Sequence, residues 1–280
     1  MKLDAIFVTT IERSKQMRET NLKKIGFFGR NYFNINVGFS GIDGLLLSND
    51  QLQNYLNQGI IKPTQNKVTS LDDMVFMKQF AKRRFMTASE IGVFLSHFSY
   101  WNYIVKNNIQ CSLILEDDAY FDDETFCNQI KDVLSDHDEM KYKMVSLFKH
   151  GNQKESKDYR SFNNKYNRID ARCWGLVSYL ITLEGAKELL KYAVPISTPV
   201  DFTVMGIMER NNSGYIVSNS VVSLVDGESC IRDNYNNALS GLAIKTCNID
   251  LLSIPIPKNI FTINNSNFKN ENYEIKDIYH

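Results

Sequence analysis

Glycine and proline are scarce, 14 and 5 of 280 residues, which excludes collagen-like repeats and long irregular structure. Neither sign of charge is in excess: 32 Lys and Arg face 32 Asp and Glu. That balance argues against a dedicated nucleic-acid binder, which carries a basic surplus, and against an acidic disordered chain. No apolar run approaches the roughly 18 residues of a spanning helix, so none is predicted. The opening MKLDAIFVTT is interrupted by Asp4 and followed by no small-residue cleavage site, so no export signal is expected. Cys111, Cys127, Cys173, Cys230 and Cys247 are odd in number, scattered and free of any CxxC pair. They predict neither a zinc site nor a disulfide framework, but reduced thiols in a cytoplasmic protein. Histidines number four, without paired spacing, which disfavours a phosphoesterase built on a histidine-rich metal cluster.

What remains is ordinary globular composition, 43% hydrophobic and 23% charged, with an alternation of strands and helices. Residues 3–10 read as a buried first strand of a parallel sheet. Residues 11–27 read as a helix with Met17, Leu22 and Ile25 inward. Residues 34–43 read as a second strand, and residues 45–86 as polar and helix-prone. Thr87 and Glu90 fit a capping box opening a helix to Lys106, with Ile91, Phe94, Leu95, Phe98, Trp101 and Val105 on its apolar face. Glu90, His97 and Trp101 fall at one margin of that face. A strand over 111–115 and a helix over 123–135 follow, then a strand over 143–148 and a polar loop over 150–168. A strand pair or strand–turn over 173–183, a helix capped by Thr182, a helix over 202–211 and a strand over 215–224 complete the pattern. The Asn-rich stretch from about residue 255 reads as a surface tail, leaving residues 1–254 as one α/β domain and 255–280 as an appendage.

The strongest chemical signal is the apolar strand that runs into Glu116-Asp117-Asp118, part of a run with six acids in residues 116–124. Carboxylates at the carboxyl edge of an open α/β sheet lie where such sheets bind ligands. Three adjacent acids repel one another unless a cation compensates, and a divalent ion bridging to phosphate is the natural partner. Asp122, Asp123 and Glu124 fit a helix start instead.

TASEIGVFLSHFSYW followed by LILEDDAYF resembles glycosyltransferase family 25, which acts in lipooligosaccharide synthesis and collagen galactosylation. VTTIERSKQM, FSGIDG, SYLITLEGAKELL and TPVDFTVM resemble further family segments in the right order, so the similarity spans residues 3–231. Ala88-Ser89 stands where Gly is often seen before Glu90, and Thr10-Ile11 replaces the usual Ser-Leu. The resemblance implies a GT-A-like, Rossmann-like fold with a mixed central sheet. It implies inverting transfer of a sugar, commonly galactose from UDP-galactose, to a saccharide acceptor. In that pattern Asp118 binds Mn²⁺ or Mg²⁺ directly and Glu116 stands at the first motif position, as a second metal-holding acid or as one that contacts ribose or orients its neighbours, and Asp117 contributes to donor binding. Thr9, Thr10, Arg13 and Asp43 meet the nucleotide, with a solvated Arg13 and an Asp43-Gly44 turn as the plain alternatives. His97 donates a hydrogen bond or a charge to the diphosphate, and Glu90 stands beside it. Asp201 is the acceptor-activating base, with a helix cap as its alternative. Glu184 and Asp226 are weaker candidates for that role.

Other readings stay open at this point. The donor sugar is glucose or an N-acetylhexosamine instead, the acceptor is a protein, or the chain is a non-catalytic carbohydrate-binding homologue. The loop 150–168 and Trp174 are the acceptor-side variables by position. A lipid-linked acceptor implies peripheral association with the inner face of the cytoplasmic membrane, for which Lys82-Arg83-Arg84 is a small basic patch.

Overall fold

The computed structural model describes residues 1–61, 88–149, 161–170, 173, 175–196 and 198–225. Thr87, the patch at 82–84, Trp174, Asp226, most of the loop 150–168 and the tail from 255 lie outside the described residues, as do Cys230 and Cys247. The described part of the chain is a mixed α/β structure around one seven-stranded sheet in the order β2-β1-β3-β7-β5-β8-β6. The strands are β1 (Ala5–Thr9), β2 (Val37–Ser40), β3 (Cys111–Glu116), β5 (Met144–Ser146), β6 (Tyr166–Arg168), β7 (Ser178–Thr182) and β8 (Gly214–Val217). β1 runs parallel to both β2 and β3, whereas β7 is antiparallel to β3 and to β5. The mixed sheet expected from the resemblance is therefore present. β4 (Ala119–Tyr120) and β9 (Ser223–Leu224) form a separate two-stranded ribbon.

The central strands are buried on both faces, which is why they read as continuous apolar runs. Alternate residues serve opposite layers. Phe7 and Ile114 join a cluster with helices α3 (Ala88–Lys106), α6 (Leu183–Tyr192) and α7 (Val200–Arg210). Ile6, Val8, Leu113 and Leu115 join a second cluster with α1 (Glu12–Phe33) and α4 (Asp123–Ser135). Two further helices among the described residues are α2 (Asn49–Asn57) and α5 (His137–Met140), beside a single 3-10 turn at Gly44–Leu46.

Several boundaries differ from the expectations, each for a packing reason. α1 continues to Phe33 because Phe28 and Gly29 extend its buried stripe, and it stops at Asn34, which adopts a left-handed conformation (φ 55°). Met17 is 55% exposed; it lies about 140° around the helix from Leu22, off the inward stripe. α3 has no open margin near its start, since sheet and helices enclose Glu90, His97 and Trp101 alike. The expected late strand is two strands separated by a turn, and the polar loop ends in β6. The 173–183 segment contributes one strand, β7. Asp122 caps α4 through Thr125 N, and Thr182 caps α6 through Gly185 N, as expected. Cys111, Cys127 and Cys173 are buried free thiols.

Candidate functional site

The chain leaves β1 toward β2 on one side and later enters β3 on the other, so β1 and β3 diverge in their connections at their carboxyl ends. A crevice at such a switch point is where open α/β sheets bind ligands. Here Thr9 pairs in register with Glu116, and a cleft opens above them with about 640 Å³ of empty space including its mouth. Seven of the ten residues singled out in the sequence line it: Thr9, Thr10, Arg13, Asp43, Glu116, Asp117 and Asp118. The turn from β1 into α1 forms one wall and the loop from Ile42 to Gly44 another.

That second wall is set by close backbone packing. A Cβ on Gly92 of α3 would lie 2.4 Å from Gly44 N and 2.5 Å from Ile42 O. Ser96 Oγ, one turn further along, accepts Ile42 N–H at 2.8 Å and donates to Gly92 O. Asp43 is thereby held at the cleft, where its carboxylate accepts Leu45 N–H and pairs with Arg13 Nε at 2.6 Å. Asp43 thus both makes the turn and lines the cleft. Arg13 stays 36% exposed on the cleft lining.

The three acids of the motif point in different directions. Asp117 turns toward α1, where its Oδ2 accepts Thr10 Oγ1–H at 2.8 Å and Ser14 Oγ–H at 2.7 Å. The buried Arg18 guanidinium stands 4.0 Å from Oδ1. Asn21 Nδ2 donates to Asp117 O and to Ala119 O, and Val225 N–H donates to Asp118 O. The acid turn is therefore clamped between α1 and β9. Ser14, Arg18 and Asn21 were not picked out in the sequence. Their signal was there: they recur at helical spacing as a polar stripe beside Leu22 and Ile25.

Glu116 and Asp118 remain directed to the recess. Burial first, then the neighbouring Asp201 and Asp117, push the Glu116 carboxyl up to about 8. Burial, then Glu116 and Asp117, push Asp118 up to about 7. Asp118 Oδ1 is buried and has no hydrogen-bond partner. Among the described residues no three Asp, Glu, His or Cys side chains converge to cage a cation on their own.

His97 and Glu90 are buried behind the cleft, whereas Asp201, also off its lining, keeps part of its surface exposed. Asp201 lies in the first turn of α7, inside the helix and not at its cap, accepting Gly175 N–H at 3.2 Å and Phe202 N–H at 2.9 Å. Burial raises its pKa, with Glu90 adding to the rise. It is close enough to Glu116 to be the foremost charge acting on it. Glu184 instead faces solvent, paired with Lys187. His97 is fully buried, and burial pushes its pKa down to about 4. That shift favours the neutral imidazole, the form that acts through a hydrogen bond rather than a charge. Trp101 packs in the core rather than on a ligand. Among the described residues no helix is long and apolar enough to cross a membrane.

A family model described as glycosyltransferase family 25 (LPS biosynthesis protein) matches residues 4–204. A glycosyltransferase 25 family member of Anopheles gambiae is 29% identical over 207 residues, 72% of this chain and 31% of that protein. Procollagen galactosyltransferase 2 of Mus musculus is 24% identical over 194 residues, covering 68% of this chain and 28% of that protein. The chain thus spans about a third of the length of these relatives. Among solved structures, mannose-1-phosphate geranyltransferase from Thermus thermophilus aligns over 78% of this chain and 74% of that one. The TM-score is 0.37 at 12% identity, a slight likeness.

Proposed function

The chain belongs to glycosyltransferase family 25, and on that premise we propose that it is a metal-dependent inverting transferase. In this reading it moves galactose from UDP-galactose to a saccharide acceptor, a lipooligosaccharide or lipopolysaccharide core. One observation carries the reading: Asp118 Oδ1 is a buried carboxylate oxygen without a partner, beside a second carboxyl held near pH 8. A buried acid pair of this kind stays partly protonated at neutral pH unless a cation stabilises the charged form. Glu116 and Asp118 are the residues that would hold Mn²⁺ or Mg²⁺. Two protein carboxylates suit an ion that takes its remaining oxygens from substrate phosphates and water. When bound, the ion neutralises charge that develops on the UDP leaving group.

The chain's own residues do the rest. Thr9 and Thr10 line the first wall, and the amino groups of Arg13 left free by the Asp43 pair at Nε face a phosphate or the uridine. Asp117 supplies the rigid turn between the two ion-holding acids. Asp201 takes the proton from the acceptor hydroxyl. Its raised pKa strengthens it as a base, and the Gly175 and Phe202 amides fix its direction. Glu90 raises that proton affinity further. A lipid-linked acceptor would bring the protein to the inner face of the cytoplasmic membrane.

The test is UDP release from a panel of nucleotide sugars with Mn²⁺, repeated with chelator. Release from UDP-galactose that chelator abolishes is expected. Turnover unaffected by chelator overturns the metal role, preference for another sugar corrects the donor, and no release with any donor and acceptor favours a non-catalytic protein.

A further inference from the structure

His97, Tyr179 and Trp101 form a buried chain of hydrogen bonds directly behind Glu116. Trp101 Nε1 lies 3.1 Å from Tyr179 Oη, and His97 Nδ1 lies 2.9 Å from the same oxygen. All three side chains are fully buried, so each polar atom left unpaired costs free energy. The indole N–H can only donate, so Tyr179 Oη accepts from Trp101. The hydroxyl proton is then satisfied by pointing at His97 Nδ1. An imidazole that accepts at Nδ1 and is neutral carries its proton on Nε2. That nitrogen has no hydrogen-bond partner, and the atom it faces is Glu116 Oε1, 3.9 Å away.

We propose that the Trp101–Tyr179–His97 chain makes His97 a positioning residue: it fixes the tautomer so that Nε2–H is offered to the Glu116 carboxylate and aims it when substrate fills the cleft. Closing from 3.9 Å to hydrogen-bond length takes roughly 1 Å of side-chain motion. A neutral donor suits this task, because it orients the carboxylate without claiming its charge in an ion pair. The other tautomer would turn a lone pair toward Glu116 and repel its ionised, substrate-loaded carboxylate. The chain also explains why a histidine with no route to the open cleft belongs to the site: it acts through Glu116. This inference rests on the transferase reading for its catalytic consequence, but the tautomer and its link to Glu116 can be read without turnover.

Two experiments decide it. The first is NMR of protein labelled with ¹⁵N-histidine. His97 is expected as the neutral Nε2–H tautomer at pH 7, with its Nε2–H proton moving downfield on addition of UDP and diamagnetic Mg²⁺. That shift should vanish in Glu116→Ala, and the single tautomer should be lost in Tyr179→Phe. The second is steady-state kinetics. His97→Asn, whose amide reaches only the Nδ1 position, should lower kcat ten- to hundredfold with the KM for donor changed less than threefold. His97→Gln, whose amide nitrogen reaches the Nε2 position, should recover to within about fivefold of wild type. Melting temperatures of the two variants identify any loss that is merely structural. An Nδ1–H tautomer, an Nε2–H resonance indifferent to Glu116→Ala, or wild-type kcat in His97→Asn overturns the proposal. Absence of turnover with every donor overturns the transferase reading instead, and the NMR result still decides the role of His97.

Discussion

Replacing Glu116 by glutamine should make the ligand-free protein more stable at alkaline pH while disabling it. The Glu116 carboxyl is pushed from the ordinary 4.5 to about 8, chiefly by burial and then by Asp201 and Asp117. The native state therefore holds this proton more tightly than the unfolded chain does. Folding stability is full below about pH 4.5, falls as pH rises, and the loss is complete once pH passes about 8. Three and a half decades of proton affinity, at about 1.4 kcal/mol each, set a ceiling of about 5 kcal/mol. The side chain is 28% exposed, and water at the cleft and relaxation of the neighbouring acids reduce the ceiling to about 2 kcal/mol. Glutamine keeps the shape and removes the charge. Thermal melts without added metal should give closely similar Tm values for both proteins at pH 4, below the unfolded carboxyl's range. At pH 8.5 the variant should melt roughly 4–8 °C higher, at about 2–4 °C per kcal/mol for a chain of this size. Comparing the two proteins at each pH cancels groups that titrate alike in both, His97 among them. Mn²⁺ with UDP should raise the wild-type Tm at pH 8.5 and leave the variant unmoved. A Tm difference independent of pH, or a wild type that is the more stable at pH 8.5, would refute the assignment of Glu116 as a strained, uncompensated acid.

Other outcomes follow from the same geometry. Asp117→Ala removes the carboxylate that accepts from Thr10 and Ser14 and stands 4.0 Å from Arg18, and should cost about 2 kcal/mol in denaturant unfolding. Gly92→Ala forces a Cβ against the Ile42–Gly44 backbone, which cannot move aside as a side chain tip can. It should destabilise by about 1–3 kcal/mol and raise the KM for donor by displacing Asp43. Asp201→Asn should lower kcat by about 10²–10⁴-fold with UDP affinity, measured by calorimetry, close to wild type; near wild-type turnover would remove Asp201 from the role of base.

Much of the architecture was legible because burial leaves a periodic mark. β1 and β3 are apolar throughout because both faces are covered, and the helix over 123–135 announced itself through Asp122 and its apolar spacing. Short strands escaped notice: β6 has three residues and lies at the end of a polar segment, and β4 and β9 have two each. Elements so short carry no period. They form because a neighbour offers hydrogen bonds, and the neighbour is remote in sequence. Met17 was misplaced for a simpler reason, since three apolar residues in a helix do not by themselves define one stripe.

The order of residues alone determined that a carboxylate triplet ends a buried strand. It did so because an apolar strand must lie in the sheet and the chain must turn where the strand stops. Only the tertiary structure decided what each acid does. Asp117 faces α1 because Thr10 and Ser14 meet it there, while Glu116 and Asp118 are left to the recess. The same holds for His97, whose neutral state and hydrogen-bond direction depend on a hydroxyl 82 positions away on β7 and an indole one turn along α3. Direction, protonation and partnership are properties of the enclosed space around a side chain, and that space exists only after distant segments have packed together.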